Sequence, residues 1–238
     1  MSSHMLAVNE IFGPTFQGEG PTMGTPCIFL RLAGCNLACS WCDTPFSWDW
    51  TRYDKTQEVH LMEIGAVEAR IHALSHKNME SGRLICHLVI SGGEPMLQAE
   101  RLIPLIDRLA DQGWTSEIET AGTIAPNPSL KVGRYNVSPK LENSGNAERD
   151  RYQPTVLDAF NEHPRRCFKF VVQDVADFDE IDRLVTNHAL SPVYIMPEGI
   201  EATQVQKTLS DVAEAAIARN YHVTTRLHTL TYGNRRAV

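Results

Sequence analysis

Three cysteines, Cys35, Cys39 and Cys42, fall in a C-x3-C-x2-C spacing on one short stretch. Thiols that close together suit a shared metal centre. A closed structural zinc site takes four ligands, usually as paired knuckles or with a nearby histidine, and the next histidine after this loop is His60. A redox C-x-x-C pair accounts for Cys39 and Cys42 but leaves Cys35 without a task. Three thiolates on a [4Fe-4S] cluster leave one iron open to bind and activate another molecule. The other cysteines, Cys27, Cys86 and Cys167, sit in apolar β-type runs and read as small buried hydrophobes.

The loop follows an apolar run at 27–32, so the open iron is expected at the end of a strand, where parallel α/β folds place their sites. Further strands are predicted at 84–90, 115–119, 135–138, 167–172, 193–196 and 221–225. Helical spacing of apolar residues appears over 60–74, over 102–109 ahead of Gly113, around 178–185, and from about 203 onward. Strands alternating with helices through short connections imply a parallel sheet with right-handed crossovers. With about six parallel strands and fewer than eight full helices, the expected architecture is an incomplete, open (β/α) barrel in a single α/β domain over 5–238. The polar segment 141–150 and the stretch 48–58 read as loops.

The 238 residues carry a formal net charge of -7 and 42% hydrophobic residues. That balance argues against a nucleic-acid footprint and favours a small-molecule substrate. No apolar run reaches the roughly 18 residues of a membrane span, and the start lacks a basic-then-apolar signal. Cytosol is the expected setting. Residues 1–4 resemble an added leader ahead of a native start at Met5.

The cysteine motif, with Trp41 just before its last cysteine, resembles the radical S-adenosylmethionine superfamily. Ser91-Gly-Gly-Glu-Pro95, after the second predicted strand, is similar to that superfamily's Gly-Gly-Glu-Pro motif. There the backbone meets the amino group of the cofactor's methionine end, and Gly92 and Gly93 would let a backbone approach a ligand without a Cβ in the way. The resemblance implies cofactor contacts from Trp41, Cys42, Asp43, Gly93 and Glu94. It also implies cleavage of the bound sulfonium to a 5′-deoxyadenosyl radical, a step that the cofactor itself carries.

Further segments are similar to one family, 7-carboxy-7-deazaguanine synthase of queuosine and deazapurine biosynthesis. These are Glu10 to Gly20, Phe29-Leu-Arg31, Cys42-Asp-Thr44, Ser138-Pro-Lys140 and the tail from Leu227 to Val238. The resemblance implies conversion of 6-carboxy-5,6,7,8-tetrahydropterin to 7-carboxy-7-deazaguanine with loss of ammonia. Hydrogen abstraction at C6 would start the ring contraction, S-adenosylmethionine would be reused, and Mg2+ would be needed. It further implies a homodimer and an electron donor such as flavodoxin.

The residues suit such a substrate. A pterin edge is rich in N–H donors, for which Glu19 and Glu119 are acceptors. Arg31 offers a planar fork to a carboxylate. Phe16, Gln17, Gly18, Ser91 and His228 are further substrate candidates, and the terminal carboxylate of Val238 would fold back onto the substrate's N–H groups. Thr44 would ligate Mg2+, with waters and substrate oxygens completing the shell, and Asp43 stands behind it. Ser138, Pro139 and Lys140 are expected at the cofactor, as is the Met196-Pro197-Glu198-Gly199 turn at its adenosine. Arg31 in a surface salt bridge, Glu19 in water, Lys140 at an ordinary turn and Met196 in the core are the plainer readings. Two other functions stay open: an activating enzyme that places a glycyl radical on a protein partner, and a non-catalytic iron–sulfur or zinc module.

Overall fold

The computed structural model describes residues 5–76, 82 and 84–238, so the reading of residues 1–4 falls outside the described residues. In chain order, β1 (Met5–Phe16), β2 (Pro26–Leu32), α1 (Lys55–Glu58), β3 (His60–Glu63), α2 (Ile64–Ser75) and β4 (His87–Gly92) come first. They are followed by α3 (Ala99–Asp111), β5 (Thr115–Thr120), β6 (Arg134–Val137), α4 (Glu148–Arg151), α5 (Pro154–Asn161) and β7 (Arg166–Val172). The chain ends with α6 (Asp177–His188), β8 (Val193–Pro197), α7 (Ala202–Ala218), β9 (His222–Val223) and α8 (Leu227–Tyr232).

The strands form one open nine-stranded sheet in the order β3-β1-β2-β4-β5-β6-β7-β8-β9. From β2 to β9 every pair is parallel, which makes seven parallel strands rather than about six. β1 and β3 add an antiparallel margin. The expected α/β architecture, an incomplete barrel with free edges, is therefore present with an extra hairpin-like flank.

Alternation along the strands separates two environments. One face sends Leu30, Ile90, Ile118, Val137, Phe168, Phe170 and Ile195 into a continuous apolar cluster beneath the helices. Each such buried side chain contributes about 1.5–3 kcal/mol. The opposite face carries Arg31, Ser91, Glu119 and Lys169, with Arg31 paired in register with Ser91. A polar row inside an otherwise apolar sheet marks the inner face of the partial barrel.

The helices bury the residues that periodicity selected: Ile64, Val67, Ile71 and Leu74 in α2, and Leu102, Leu105, Ile106 and Leu109 in α3. The start of the first helix needs correction. Residues 60–63 pair with β1 as β3, and Leu61 is left exposed. In α7, Thr208 is buried and Leu209 only half-buried.

The whole of β1 went unread because Gly13 and Pro14 look like punctuation. The register runs from Phe12 opposite Phe29 to Thr15 opposite Cys27, so Gly13 and Pro14 occupy a bulge outside the regular ladder. A Cβ on Gly13 would stand 2.8 Å from Ile28 Cδ1. Among the described residues no helix is long and apolar enough to cross a membrane.

Candidate functional site

The C-terminal ends of the parallel strands open onto a cavity of about 650 Å³. That lies within the usual range of ligand clefts, roughly 300–1,000 Å³. Cys35, Cys39 and Cys42 line one wall of it. Each sulfur accepts a hydrogen bond from nitrogen: Cys35 from the Leu37 amide at 3.5 Å, Cys39 from Asn146 Nδ2 at 3.2 Å and Cys42 from Trp48 Nε1 at 3.3 Å. Such donors stabilise cluster-bound thiolates and tune their potential. Burial pushes the Cys35 thiol up to about 12 and raises Cys39 as well, so iron must displace protons as it binds. Among the described residues no three His, Cys, Asp or Glu side chains are gathered to hold a single ion. The donor set suits an iron–sulfur cluster.

The loop is braced from a distance. Segment 141–150, expected as a free loop, forms a short 3-10 turn at Glu142–Ser144 followed by α4. Its Ser144 carbonyl accepts from the Ser40 amide at 2.9 Å, and Asn146 Oδ1 accepts from the Ala38 amide at 2.9 Å. Trp41 Nε1 donates to the Asn143 carbonyl at 3.0 Å.

Gly92 and Gly93, at the end of β4, line the cavity and have a second reason to be glycine. A Cβ on Gly93 would meet the Gly34 carbonyl oxygen at 2.0 Å, and one on Gly92 the Leu32 oxygen at 2.1 Å. They let two backbones touch, joined by Gly93 N–Leu32 O at 3.1 Å and Glu94 N–Gly34 O at 2.8 Å. The Glu94 carboxylate accepts from Met96 N, Thr120 Oγ1 and Ala121 N, and burial raises its pKa. It ties the loop to the end of β5 instead of lining the cavity.

The cavity floor is a chain of paired charges. Glu19 bonds Lys169 Nζ through Oε2 and accepts from Arg226 Nε at 3.3 Å through Oε1. Burial would raise the Glu19 carboxyl, yet Lys169 and Arg226 hold it well below the usual range. Glu119 lies 3.8 Å from Lys169 and accepts from Ser91 Oγ at 3.0 Å and Gln17 Nε2 at 3.1 Å. Its pKa is raised, chiefly by burial, with Glu19 and Glu117 adding to it. Arg226 also pairs with Asp43 and donates to the Gly199 carbonyl at 2.7 Å. Burial lowers the His228 pKa, with Glu19 opposing the shift and Arg226 adding to it. A Cβ on Gly18 would lie 2.0 Å from His228 Nδ1, so glycine there admits the ring.

At the mouth, Arg31 Nε donates to Glu10 at 3.0 Å, and the tail residues 233–238 line the rim. Tyr232 stacks on Phe16 at 5.6 Å between ring centroids. Lys140 Nζ donates to the Ser138 carbonyl at 2.8 Å and stands 5.9 Å over Trp41.

Residues 16–126 match the 4Fe-4S single cluster domain. Over 235 residues the chain is 34% identical to 7-carboxy-7-deazaguanine synthase of Pyrobaculum aerophilum, covering 97% of this chain and 96% of that one. The chain belongs to the 7-carboxy-7-deazaguanine synthase family. It is 31% identical over 231 residues to the synthase of Escherichia coli K12, at 93% and 96% coverage. The crystal structure of QueE from Escherichia coli superposes with a TM-score of 0.69 at 28% identity, covering 94% of this chain and 95% of that one. Streptococcus suis SuiB bound to S-adenosylmethionine shares the fold, with a TM-score of 0.55 at 14% identity and coverage of 86% and 53%. As a member of the synthase family, the chain is a radical S-adenosylmethionine enzyme of deazapurine biosynthesis that uses a [4Fe-4S] cluster and S-adenosylmethionine.

Most residues singled out from the sequence line this synthase-family cavity: Phe16, Gln17, Gly18, Glu19, Arg31, Trp41, Asp43, Thr44, Ser91, Gly93, Glu119, Ser138, Lys140, Met196, Glu198, His228 and Val238, beside the cysteines. Glu94, Pro139, Pro197 and Gly199 do not. Gln17 also braces the cavity floor. Its amide donates to Glu117 at 2.5 Å and to Glu119, while its backbone pairs with Thr25 and Gly24. Lys169, Arg226, Glu10, Asn146 and Trp48 were missed. A lysine alternating with phenylalanines in the run 167–172 was a readable signal for the first, since a charge inside an apolar strand needs a partner. Nothing local marked the others.

Proposed function

We propose that this chain converts 6-carboxy-5,6,7,8-tetrahydropterin to 7-carboxy-7-deazaguanine with release of ammonia. The observation that carries the reading is one cavity joining three hydrogen-bonded cysteine sulfurs to a floor of buried, paired charges. When bound, the cluster and S-adenosylmethionine supply the one-electron chemistry that takes the hydrogen from C6 of the substrate.

The chain's own residues bind, orient and exclude water. Arg31 takes the substrate carboxylate, with the aromatic rings of Phe12 and Phe46 at 5.5 and 5.7 Å confining its guanidinium. Glu19, ionised, accepts from the N–H edge of the ring, and Val238 does so from the other side through its terminal carboxylate. Glu119, with its raised pKa, is suited to hold a proton beside the substrate. Ser138 and Lys140 meet the cofactor's carboxylate, the backbone at Ser91 to Gly93 its amine, and Met196 and Glu198 its adenosine. Thr44, whose hydroxyl lies 3.8 Å from the Cys42 sulfur, would hold Mg2+ together with water and substrate oxygens. A homodimer, a cytosolic setting and an electron donor such as flavodoxin belong to the same reading.

The test is anaerobic reconstitution followed by incubation with the carboxytetrahydropterin, Mg2+ and a reductant, reading the product by ultraviolet spectrum and mass. Formation of the deazaguanine acid without any protein partner is expected. Cleavage of S-adenosylmethionine with the pterin left unchanged would overturn the substrate assignment.

A further inference from the structure

Glu10 of β1 faces Arg31 across the β1–β2 ladder, and its two oxygens serve two different arginines. Oε2 accepts from Arg31 Nε at 3.0 Å, and Oε1 accepts from Arg236 Nε, two residues before Val238. The Glu10 side chain is 12% exposed, so the charge it presents is little screened by water.

Two neighbours reinforce the junction. The Phe46 ring, in the turn after Thr44, has Arg236 over it at 3.9 Å and Arg31 at 5.7 Å. Such cation–ring contacts favour a fixed guanidinium. Glu58 accepts from Arg236 Nη1 at 3.0 Å and is itself held by Asn9 Nδ2 at 3.0 Å. Contact with Arg236 draws the Glu58 carboxyl below its ordinary range. Two arginines and two carboxylates therefore balance within the cluster. Glu10 engages Arg31 through Nε alone, which orients the guanidinium without occupying its terminal nitrogens.

We propose that Glu10 is a positioning residue that couples two halves of ligand recognition, aiming Arg31 at an anionic ligand group and clipping the C-terminal tail over the same cavity. The first half rests on the reading of Arg31 given above. The second does not. One carboxylate thus makes tail closure and anion binding mutually dependent: each arginine holds one oxygen, so losing either leaves the carboxylate free to turn and unfixes the oxygen that aims the other.

The test uses the full chain and two variants, E10Q and R236M, alone and combined. Without ligand, deuterium exchange of the Gly233 amide, which donates to the Thr229 carbonyl at 2.9 Å at the base of the tail, should be roughly tenfold faster in either variant, which corresponds to about 1.4 kcal/mol. The double variant should match R236M alone, because that substitution already removes the Glu10 link together with the Glu58 contact. With the carboxytetrahydropterin, E10Q should raise KM roughly tenfold while kcat changes less than about threefold, a loss of ground-state binding. E10D should restore part of the KM, an outcome that a merely structural role would not produce. Unchanged tail exchange in E10Q, or additive effects in the double variant, would overturn the clip. The exchange measurement contains no substrate. Failure of the unaltered chain to turn over the pterin therefore condemns the substrate assignment alone, and exchange still decides the clip.

Discussion

Replacing Lys169 with methionine removes the one cation that, among the described residues, Glu19 and Glu119 share. The lysine side chain is 5% exposed, bonded to Glu19 and 3.8 Å from Glu119. At that distance and an effective dielectric near 20, the Lys169–Glu119 attraction is about 4 kcal/mol. Glu19 keeps Arg226 at 3.3 Å, whereas among the described residues Glu119 keeps only the neutral donors Ser91 and Gln17. The variant has one escape: Glu119 takes up a proton. At pH 7 that costs a carboxyl of ordinary pKa about 3.7 kcal/mol, and at pH 5 about 1 kcal/mol. This ceiling agrees with the loss of roughly 3–5 kcal/mol expected when a buried pair loses one partner. Because the variant's Glu119 is raised in the folded state, its stability is largest at low pH and is lost as pH rises through the folded pKa. Urea unfolding followed by tryptophan fluorescence should show K169M destabilised by at most about 3–4 kcal/mol at pH 7, and less as pH falls toward 5, because Glu119 is already raised with Lys169 in place. Adding E119Q should restore most of the loss. A pH 7 cost below about 1 kcal/mol, equal costs at both pH values, or no relief from E119Q would refute the reasoning.

Other expectations concern separate parts of the site. Deleting residues 236–238 should raise the substrate KM at least about tenfold while the unfolding midpoint barely moves, since an exposed tail contributes little to the core; steady-state kinetics beside a thermal melt checks this. Glu19 is held low by Lys169 and Arg226, so its contribution to stability is present above the unfolded pKa of about 4.3 and lost only as pH falls below it. The stability difference between the unaltered chain and E19Q should therefore stay flat from pH 7 to pH 5, and a decline over that window would contradict the assignment. Asn146→Ala removes the donor to Cys39 and a brace of the loop; roughly tenfold poorer cluster retention or activity is expected by iron content and turnover. Gly93→Ala must drive the Gly34 backbone aside, with a cost of about 1–3 kcal/mol in chemical unfolding.

What was readable in advance was local. The cysteine spacing, the Gly-Gly-Glu-Pro turn and Ser138 to Lys140 each lie within a few residues of one strand end, so topology alone brings them to one rim. Apolar periodicity found the buried faces of α2 and α3 for the same reason. β1 escaped because a bulge hides Gly13 and Pro14 from the regular pattern. The Gly-Gly-Glu-Pro motif marks Glu94 in the sequence without showing what its carboxylate meets. Only the fold shows its carboxylate facing Thr120 and Ala121.

The amino-acid sequence by itself pointed to the chemistry: three cysteines in one loop at the end of a strand, together with the Gly-Gly-Glu-Pro turn after the next, indicate an iron–sulfur centre. Tertiary structure alone decided the partners of the charges. Glu19 meets Lys169 across 150 positions, Asp43 meets Arg226 across 183, and Glu10 meets Arg236 across 226. Metal-ligand spacing is written in adjacent residues, because short loops geometrically constrain their own side chains. Which buried carboxylate finds which cation depends on where folding sends distant segments, and on desolvation that makes any unpaired choice costly.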